Sequence, residues 1–178
     1  MRIPIFILFT CANLFGQSSS LGPWKFGMSK SEVTKFEKYG PFQDVGITGG
    51  TETPNGLFNG KKTNISFVFD EKGLRRIQVW AYEGRSLDEA TEAWKSLYQY
   101  LNKSYGAVEV PQITMDPKSD PLTPDALSIA VKVHVDVVGK VQMAPVKKPS
   151  NEVIFSSFAK QEIQGSPYYY VFLFSDRP

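Results

Sequence analysis

The sequence predicts an α+β fold, in which an antiparallel sheet built from β-hairpins carries two or three helices on one face. Two stretches predict the hairpins, residues 63–84 and 152–174, where β-branched and aromatic residues flank a short polar turn that contains glycine. Helix-start signals at Ser29 and Ser86 precede these stretches. Helices alternating with hairpins are typical of an α+β domain.

The hairpin at residues 63–84 is the clearest element. Its two arms are separated by Glu71-Lys72-Gly73. Because successive strand residues point to opposite faces, the second arm has two distinct sides. The two predicted sides are Ile77, Val79 and Ala81 on one face, and Gln78, Trp80 and Tyr82 on the other.

The two helix starts carry capping boxes. Ser29 is followed three residues later by Glu32, and Ser86 by Glu89. The first helix is predicted to continue to Gly40, because Val33, Phe36 and Tyr39 form an apolar stripe and Gly40-Pro41 stops it. The second helix ends in a similar way at Tyr105-Gly106. The two endings suggest a diverged tandem of helix-hairpin units.

Residues 124–138 fit two structures. Ile129, Val131, Val133, Val135 and Val137 alternate with smaller or polar residues, which indicates a strand. The spacing of Leu127, Val131, Val135 and Val138 indicates a helix that starts at Thr123-Pro124 and is capped by Gly139. We favour the helix, because Val138-Gly139 is a poor hairpin turn.

The last predicted strand is apolar on both sides. Tyr168, Tyr170, Phe172 and Phe174 share one face, and Tyr169, Val171 and Leu173 the other. A strand of this kind is typical of the centre of a sheet that is covered on both faces.

The first residues resemble a secretory signal peptide. Arg2 is followed by an apolar run from Ile3 to Phe9, and then by small and polar residues. We expect residues 1–16 to be the leader and residues 17–178 to form a single domain with a proline-rich loop at about 111–125. The run is shorter than the roughly 20 residues of a membrane-spanning helix. A buried strand is the alternative.

Cys11 is the only cysteine. Cleavage after Gly16 would leave no cysteine for disulfides or metal ligation. A second interpretation makes Leu8-Phe9-Thr10-Cys11 a lipoprotein cleavage box with a lipid anchor on Cys11, which the threonine before the cysteine disfavours.

Composition and motifs exclude several functions. The formal net charge of the 178-residue chain is +2, which is too small to indicate nucleic-acid binding. No phosphate-binding loop, dinucleotide motif or nucleophile elbow is present. We therefore expect no cofactor and no metal, and we favour a protein that is not an enzyme.

Two weaker chemical hypotheses remain. His134, the only histidine, is a candidate general base that would act with an aspartate of the loop at residues 116–125. A calcium site would use several converging carboxylates, for which the candidates are Asp116, Asp120 and Asp125. Packing or surface roles explain these residues more simply.

Aromatic residues offer the best candidate for binding. An aromatic groove on one sheet face suits a sugar, peptide or protein partner. The candidate residues are Trp80, Tyr82, Phe158, Tyr168, Tyr169 and Tyr170. Burial of these side chains in the core is the competing explanation.

Two short motifs carry a resemblance to a known family. Gly27-Met28-Ser29-Lys30-Ser31-Glu32-Val33 with Tyr39-Gly40-Pro41, and then the run 67–74 with Ile77, resemble the SmpA/OmlA outer-membrane-assembly lipoproteins and the β-lactamase-inhibitor-protein-like fold. The resemblance covers residues 24–82 and implies a non-catalytic protein-binding module.

The functional expectation follows from these observations. We expect an exported protein, periplasmic or secreted, that binds another protein or the cell envelope. The alternative is a binder of small ligands, glycans or peptides that uses an aromatic sheet face.

Overall fold

The structure is a computed structural model that describes residues 19–46, 49–113 and 123–178. The helices are α1 (Lys30–Thr34), a 3₁₀ turn (Glu37–Tyr39), α2 (Leu87–Tyr105) and α3 (Pro124–Val138). The strands are β1 (Gln43–Val45), β2 (Gly50–Phe58), β3 (Lys61–Asp70), β4 (Gly73–Gly84), β5 (Val108–Glu109), β6 (Lys140–Pro145), β7 (Val153–Ile163) and β8 (Ser166–Asp176). The fold is α+β, and the sheet is its larger part.

The eight strands form one antiparallel sheet in the order β1-β2-β3-β4-β8-β7-β6-β5. The two predicted hairpins, β3–β4 and β7–β8, are confirmed, and β4 and β8 pair at the centre of the sheet. The strands at both edges are short, with three residues in β1 and two in β5. Short edge strands leave few unpaired backbone groups for other chains.

The helices lie on one face of this sheet, which we call the covered face. α2 packs across β4, β8, β7 and β6, and α3 packs on β6 and β7. The largest buried rings sit between these layers: Trp94 of α2 meets Phe158 of β7, and Trp24 from the N-terminal segment meets Phe67 of β3. We call the opposite side the open face, because no helix of the described residues packs on it.

α2 and α3 form as the sequence predicts. The Ser86 hydroxyl accepts the backbone N–H of Glu89 at the start of α2. Thr123 caps α3 in the same way, and Gly139 closes it with a left-handed φ of 81°. The helical spacing at residues 124–138 prevails over the alternating one because it buries Leu127, Val131 and Val135 together on the covered face.

α1 is shorter than predicted. Its capping box between Ser29 and Glu32 is present, but the α-helix ends at Thr34 and a 3₁₀ turn follows. The physical reason is Trp24, whose ring contacts both Phe36 and Tyr39. Apolar residues spaced by three suit the three-residue turn of a 3₁₀ helix better than the α-helical repeat.

Part of the sequence lies outside the described residues. The predicted leader (1–16) and its Cys11 belong to this part, and so do Asp116 and Asp120 of the proline-rich loop.

Candidate binding surface on the open face of the sheet

The open face carries a contiguous row of aromatic side chains, which we call the aromatic ladder. β8 supplies four of its members and the neighbouring strands supply two, because Trp80 of β4 stands opposite Phe172 and Phe155 of β7 stands opposite Phe174. The six members are Trp80, Phe155, Tyr168, Tyr170, Phe172 and Phe174. All six are partly exposed.

The predicted site residues divide between the two faces. Trp80, Tyr168 and Tyr170 belong to the aromatic ladder. Phe158 and Tyr169 lie on the covered face, where they are 0% and 5% exposed. The strand repeat separates them, since consecutive residues such as Tyr168, Tyr169 and Tyr170 cannot all share one face.

Tyr82 lies on the covered face because of a β-bulge. In β4, Trp80 pairs with Phe172 but Tyr82 pairs with Val171, so Ala81 is an extra residue between them. The bulge reverses the alternation, and the prediction that Tyr82 shares a face with Trp80 is wrong. The Tyr82 hydroxyl accepts the Ser86 N–H at 2.9 Å, and burial raises its pKa. Tyr82 thus supports the start of α2.

The sequence interpretation of the site omitted Phe155, Phe172 and Phe174. The signal for two of them was present, because Phe172 and Phe174 continue the period of two that starts at Tyr168. Phe155 joins the ladder only through strand pairing, where its ring stacks on that of Phe174 with centroids 4.8 Å apart. Pairing between β7 and β8 decides that neighbour.

The rings of the ladder pack against one another. Tyr170 and Phe172 stack with an interplanar angle of 17° and centroids 5.7 Å apart. Trp80 meets Phe172 edge to face at 4.9 Å. Side chains on a strand stand roughly perpendicular to the sheet, and in the stacked pair the ring faces of Tyr170 and Phe172 are turned to one another. The surface is therefore ridged and apolar.

One end of the ladder is closed by an ion pair. Arg76 of β4 makes two bonds to Asp176 of β8, from Nε to Oδ1 at 2.6 Å and from Nη2 to Oδ2 at 2.8 Å. The same guanidinium lies over the Phe174 ring, 4.9 Å from its centroid. The bonds to Asp176 raise the pKa of Arg76, and the pair fixes a planar cation beside the last ring.

The other end is polar as well. The Tyr168 hydroxyl donates to Glu83 Oε1 at 3.2 Å, and Arg85 lies 5.9 Å from the centre of the Tyr168 ring. In the middle, the Trp80 indole N–H donates to Ser66 Oγ at 2.8 Å. The ladder is thus an apolar centre with a polar border, the arrangement found in protein interfaces.

A second polar cluster lies at the end of the covered face, around the buried Glu152. This carboxylate is 2% exposed. It accepts bonds from the Ser175 hydroxyl and from the Ser20 hydroxyl at 3.1 Å, and the Tyr105 hydroxyl lies 2.9 Å away. No lysine or arginine of the described residues pairs with it. The Ser20 backbone N–H adds a further donor at 3.4 Å, so these hydrogen bonds together offset the cost of burying the carboxyl group and tie the N-terminal segment to α2 and β8.

The catalytic hypothesis for His134 loses one of its partners. His134 and Asp125 lie nine residues apart on α3, which is about 14 Å of helix rise at 1.5 Å per residue and beyond hydrogen-bond reach. Asp125 instead pairs with Lys95 of α2. The described residues contain no cluster of three or more potential metal ligands. None of their helices is long and apolar enough to cross a membrane.

The chain matches no protein-family model, and no curated protein and no solved structure matches it.

Proposed function

We propose that this protein is an exported, non-catalytic binding module that holds a protein partner on the aromatic ladder. The observation that carries the proposal is a row of six partly exposed aromatic residues on a sheet face that no helix of the described residues covers. Tyrosine, tryptophan and phenylalanine are enriched at the centres of protein interfaces, where they supply large contact areas.

The geometry of the rings favours a protein partner over a glycan. A sugar ring stacks on an exposed aromatic face, whereas the faces of Tyr170 and Phe172 are turned to one another. Protein side chains fit between upright rings, as they do when two sheets pack with interdigitated side chains. The ion pair of Arg76 with Asp176 at the border adds a charged group for orientation.

A small ligand, glycan or peptide is the second candidate, and the Tyr168 end of the ladder favours it. There the Tyr168 hydroxyl, Glu83 and Arg85 lie together beside the Tyr170 ring. A few convergent polar groups beside aromatic rings are typical of ligand sites. Under this alternative the Tyr168 end alone would carry binding.

Export and family membership complete the proposal. The signal-peptide pattern at residues 1–16 supports a periplasmic or secreted location. The motifs that resemble the SmpA/OmlA lipoproteins support a role at the cell envelope. The strand order supports the tandem of two units, since β1–β4 and β5–β8 meet through β4 and β8 with a helix before each set.

The test is affinity capture from envelope and culture-fluid fractions of the source organism. The tagged wild-type chain should retain one protein in stoichiometric amount. The Tyr170→Ala/Phe172→Ala variant should lose it, while Val146→Ala, an apolar residue that is 57% exposed outside the sheet, should keep it. Loss in both variants, or in neither, would contradict binding on the ladder.

The same variants separate the two candidates. A glycan or peptide that shifts the wild-type melting temperature, and that stops doing so in Tyr168→Phe while protein capture is absent, would establish the second candidate.

A further inference from the structure

α3 is apolar on two sides. One side packs on the sheet through Leu127, Val131 and Val135, all 0% exposed. The other side points away from the molecule, and there Ile129, Val133 and Val137 are 69%, 64% and 79% exposed. An amphipathic helix on a protein surface normally carries polar residues on its outer side, so an apolar outer side marks a contact surface.

The exposed residues form one stripe that is inclined to the helix axis. Ile129, Val133 and Val137 follow one another at intervals of four, which places them in one row along the helix. Ala126 and Ala130 lie beside the row, and their small side chains allow another helix to approach closely. From Ala126 to Val137 the stripe is about 17 Å long at 1.5 Å per residue.

The charges that border the stripe are paired within the molecule. Lys132 lies 2.6 Å from Asp88 of α2, Asp136 lies 2.6 Å from Lys160 of β7, and Asp125 pairs with Lys95. The border therefore carries both signs and little net charge. A helix that binds an anionic membrane surface instead needs a border rich in lysine and arginine.

The stripe is complementary to itself. If two copies of α3 pack antiparallel about a two-fold axis at Val133, with their axes crossed by roughly 50° so that the inclined rows align, Ile129 of one copy meets Val137 of the other and the two Val133 side chains meet on the axis. Because the two-fold axis is perpendicular to both helices, the edge of the stripe that carries Lys132 and Asp136 lies next to the same edge of the second copy. Lys132 then approaches Asp136 of the second copy, and the reverse contact forms by symmetry.

We propose that the exposed stripe of α3 is the contact surface of a two-fold symmetric homodimer with antiparallel α3 helices. The carboxylate of Asp136 is 63% exposed and so has room for a second cation beside Lys160. A single helix pair buries less than the roughly 1,200 Å² at the lower limit of stable interfaces. The dimer is therefore weak and depends on protein concentration. It uses α3 on the covered side of the sheet and so leaves the aromatic ladder free.

The first test is sedimentation equilibrium over a hundredfold range of concentration, with the protein purified in the form in which the source organism produces it. The average mass of the wild type should rise from one chain towards two. Val133→Asp should remain at the mass of one chain, since it places two carboxylates on the axis. Val146→Asp makes the same change at a similar exposure outside α3 and should associate like the wild type. Tyr170→Ala/Phe172→Ala should also associate like the wild type, so dimerisation and partner capture are scored independently.

The second test is disulfide trapping, which reports the direction of the helices. An equimolar mixture of Ile129→Cys and Val137→Cys chains should cross-link between variants several-fold faster than Ile129→Cys cross-links with itself. The wild type, whose only cysteine is Cys11, gives the background. Thermal unfolding of each variant shows that the fold is retained.

Two outcomes would overturn the proposal. A wild type that stays at the mass of one chain at every concentration would mean that the stripe meets something other than a second copy. Association that persists in Val133→Asp, or faster self-linking of Ile129→Cys, would place the contact elsewhere or make it parallel.

Discussion

The two faces of β8 differ in the kind of apolar residue they carry. The covered face presents Tyr169, Val171, Leu173 and Ser175, which are 5%, 0%, 0% and 0% exposed. The open face presents tyrosine and phenylalanine at every position from Tyr168 to Phe174, all partly exposed. One side of the strand therefore forms part of the core, and the other side keeps its rings partly exposed.

The difference follows from what each side meets. Compact aliphatic groups and a small hydroxyl fit beneath α2, where close packing limits the volume of each side chain. No layer in the described residues limits the open face, and rings there gain stability by packing on each other. Apolar character is thus shared by both faces of β8; apart from Tyr169 the covered face carries compact side chains, whereas the open face carries a ring at every position from Tyr168 to Phe174.

The largest expected effect comes from the covered face. Leu173→Ala removes a side chain that is 0% exposed and leaves a cavity under α2, so the free energy of unfolding should fall by about 2–5 kcal/mol. Urea denaturation followed by circular dichroism measures it. A loss no greater than that caused by Phe172→Ala would contradict the assignment of the two faces.

Much of the fold could be predicted because its signals are local. The β3–β4 hairpin follows from alternation around one turn, and α2 follows from a cap and a stripe at helical spacing. The length of α1 could not be predicted, because it depends on the contact of Phe36 and Tyr39 with Trp24, up to fifteen residues away.

The candidate site was predicted only in part. The aromatic run at residues 168–174 marked the right strand, but its two apolar sides gave no indication of which one the helices cover. The bulge at Ala81 had no local signal either, since it exists only in the pairing of β4 with β8. That single residue decides whether Tyr82 joins Trp80 or supports α2.

The next effect concerns the polar end of the covered face. Glu152→Ala removes the acceptor of the Ser175 and Ser20 hydroxyls; Ser20 is exposed to water, but Ser175 is 0% exposed, and a buried donor left without its acceptor costs about 1–3 kcal/mol. Chemical denaturation measures the loss. Glu162→Ala, at an exposed position of β7, is the control and should change stability by about 0.5 kcal/mol or less. Equal effects of the two substitutions would show that the cluster contributes nothing specific.

A smaller effect on stability is expected from the open face. Phe172→Ala removes ring contacts with Trp80, Tyr170 and Phe174, and because all four rings are partly exposed we expect these contacts together to contribute about 1–2 kcal/mol. Partial exposure keeps the total below that of Leu173→Ala, while partner capture should be lost entirely. If Phe172→Ala retained partner capture but lost much stability, the ladder would serve the fold as a second hydrophobic core and would not bind the partner.

The smallest effect is a dependence on alkaline pH, which tests how firmly the covered face is closed at Glu152. Burial and the nearby Glu152 carboxylate raise the pKa of the Tyr105 phenol, although its hydrogen bond to Ser20 opposes the shift. A pKa that is raised in the folded state contributes stability that is complete below the unfolded value of about 10 and is lost as the pH rises through the folded value. The difference in melting temperature between wild type and Tyr105→Phe should therefore be largest at neutral pH and should narrow above about pH 10.

Glu162→Ala is the control, because it keeps the cluster intact. Its melting temperature should differ from that of the wild type by the same amount at every pH. The Tyr105→Phe variant should still lose some stability at high pH, because burial also raises the pKa of Tyr82 and Tyr100. A difference that stays constant through this range would mean that the Tyr105 phenol ionises as easily in the folded protein as in the unfolded chain. In that case solvent reaches the Glu152 cluster, and the covered face is closed by its apolar contacts alone.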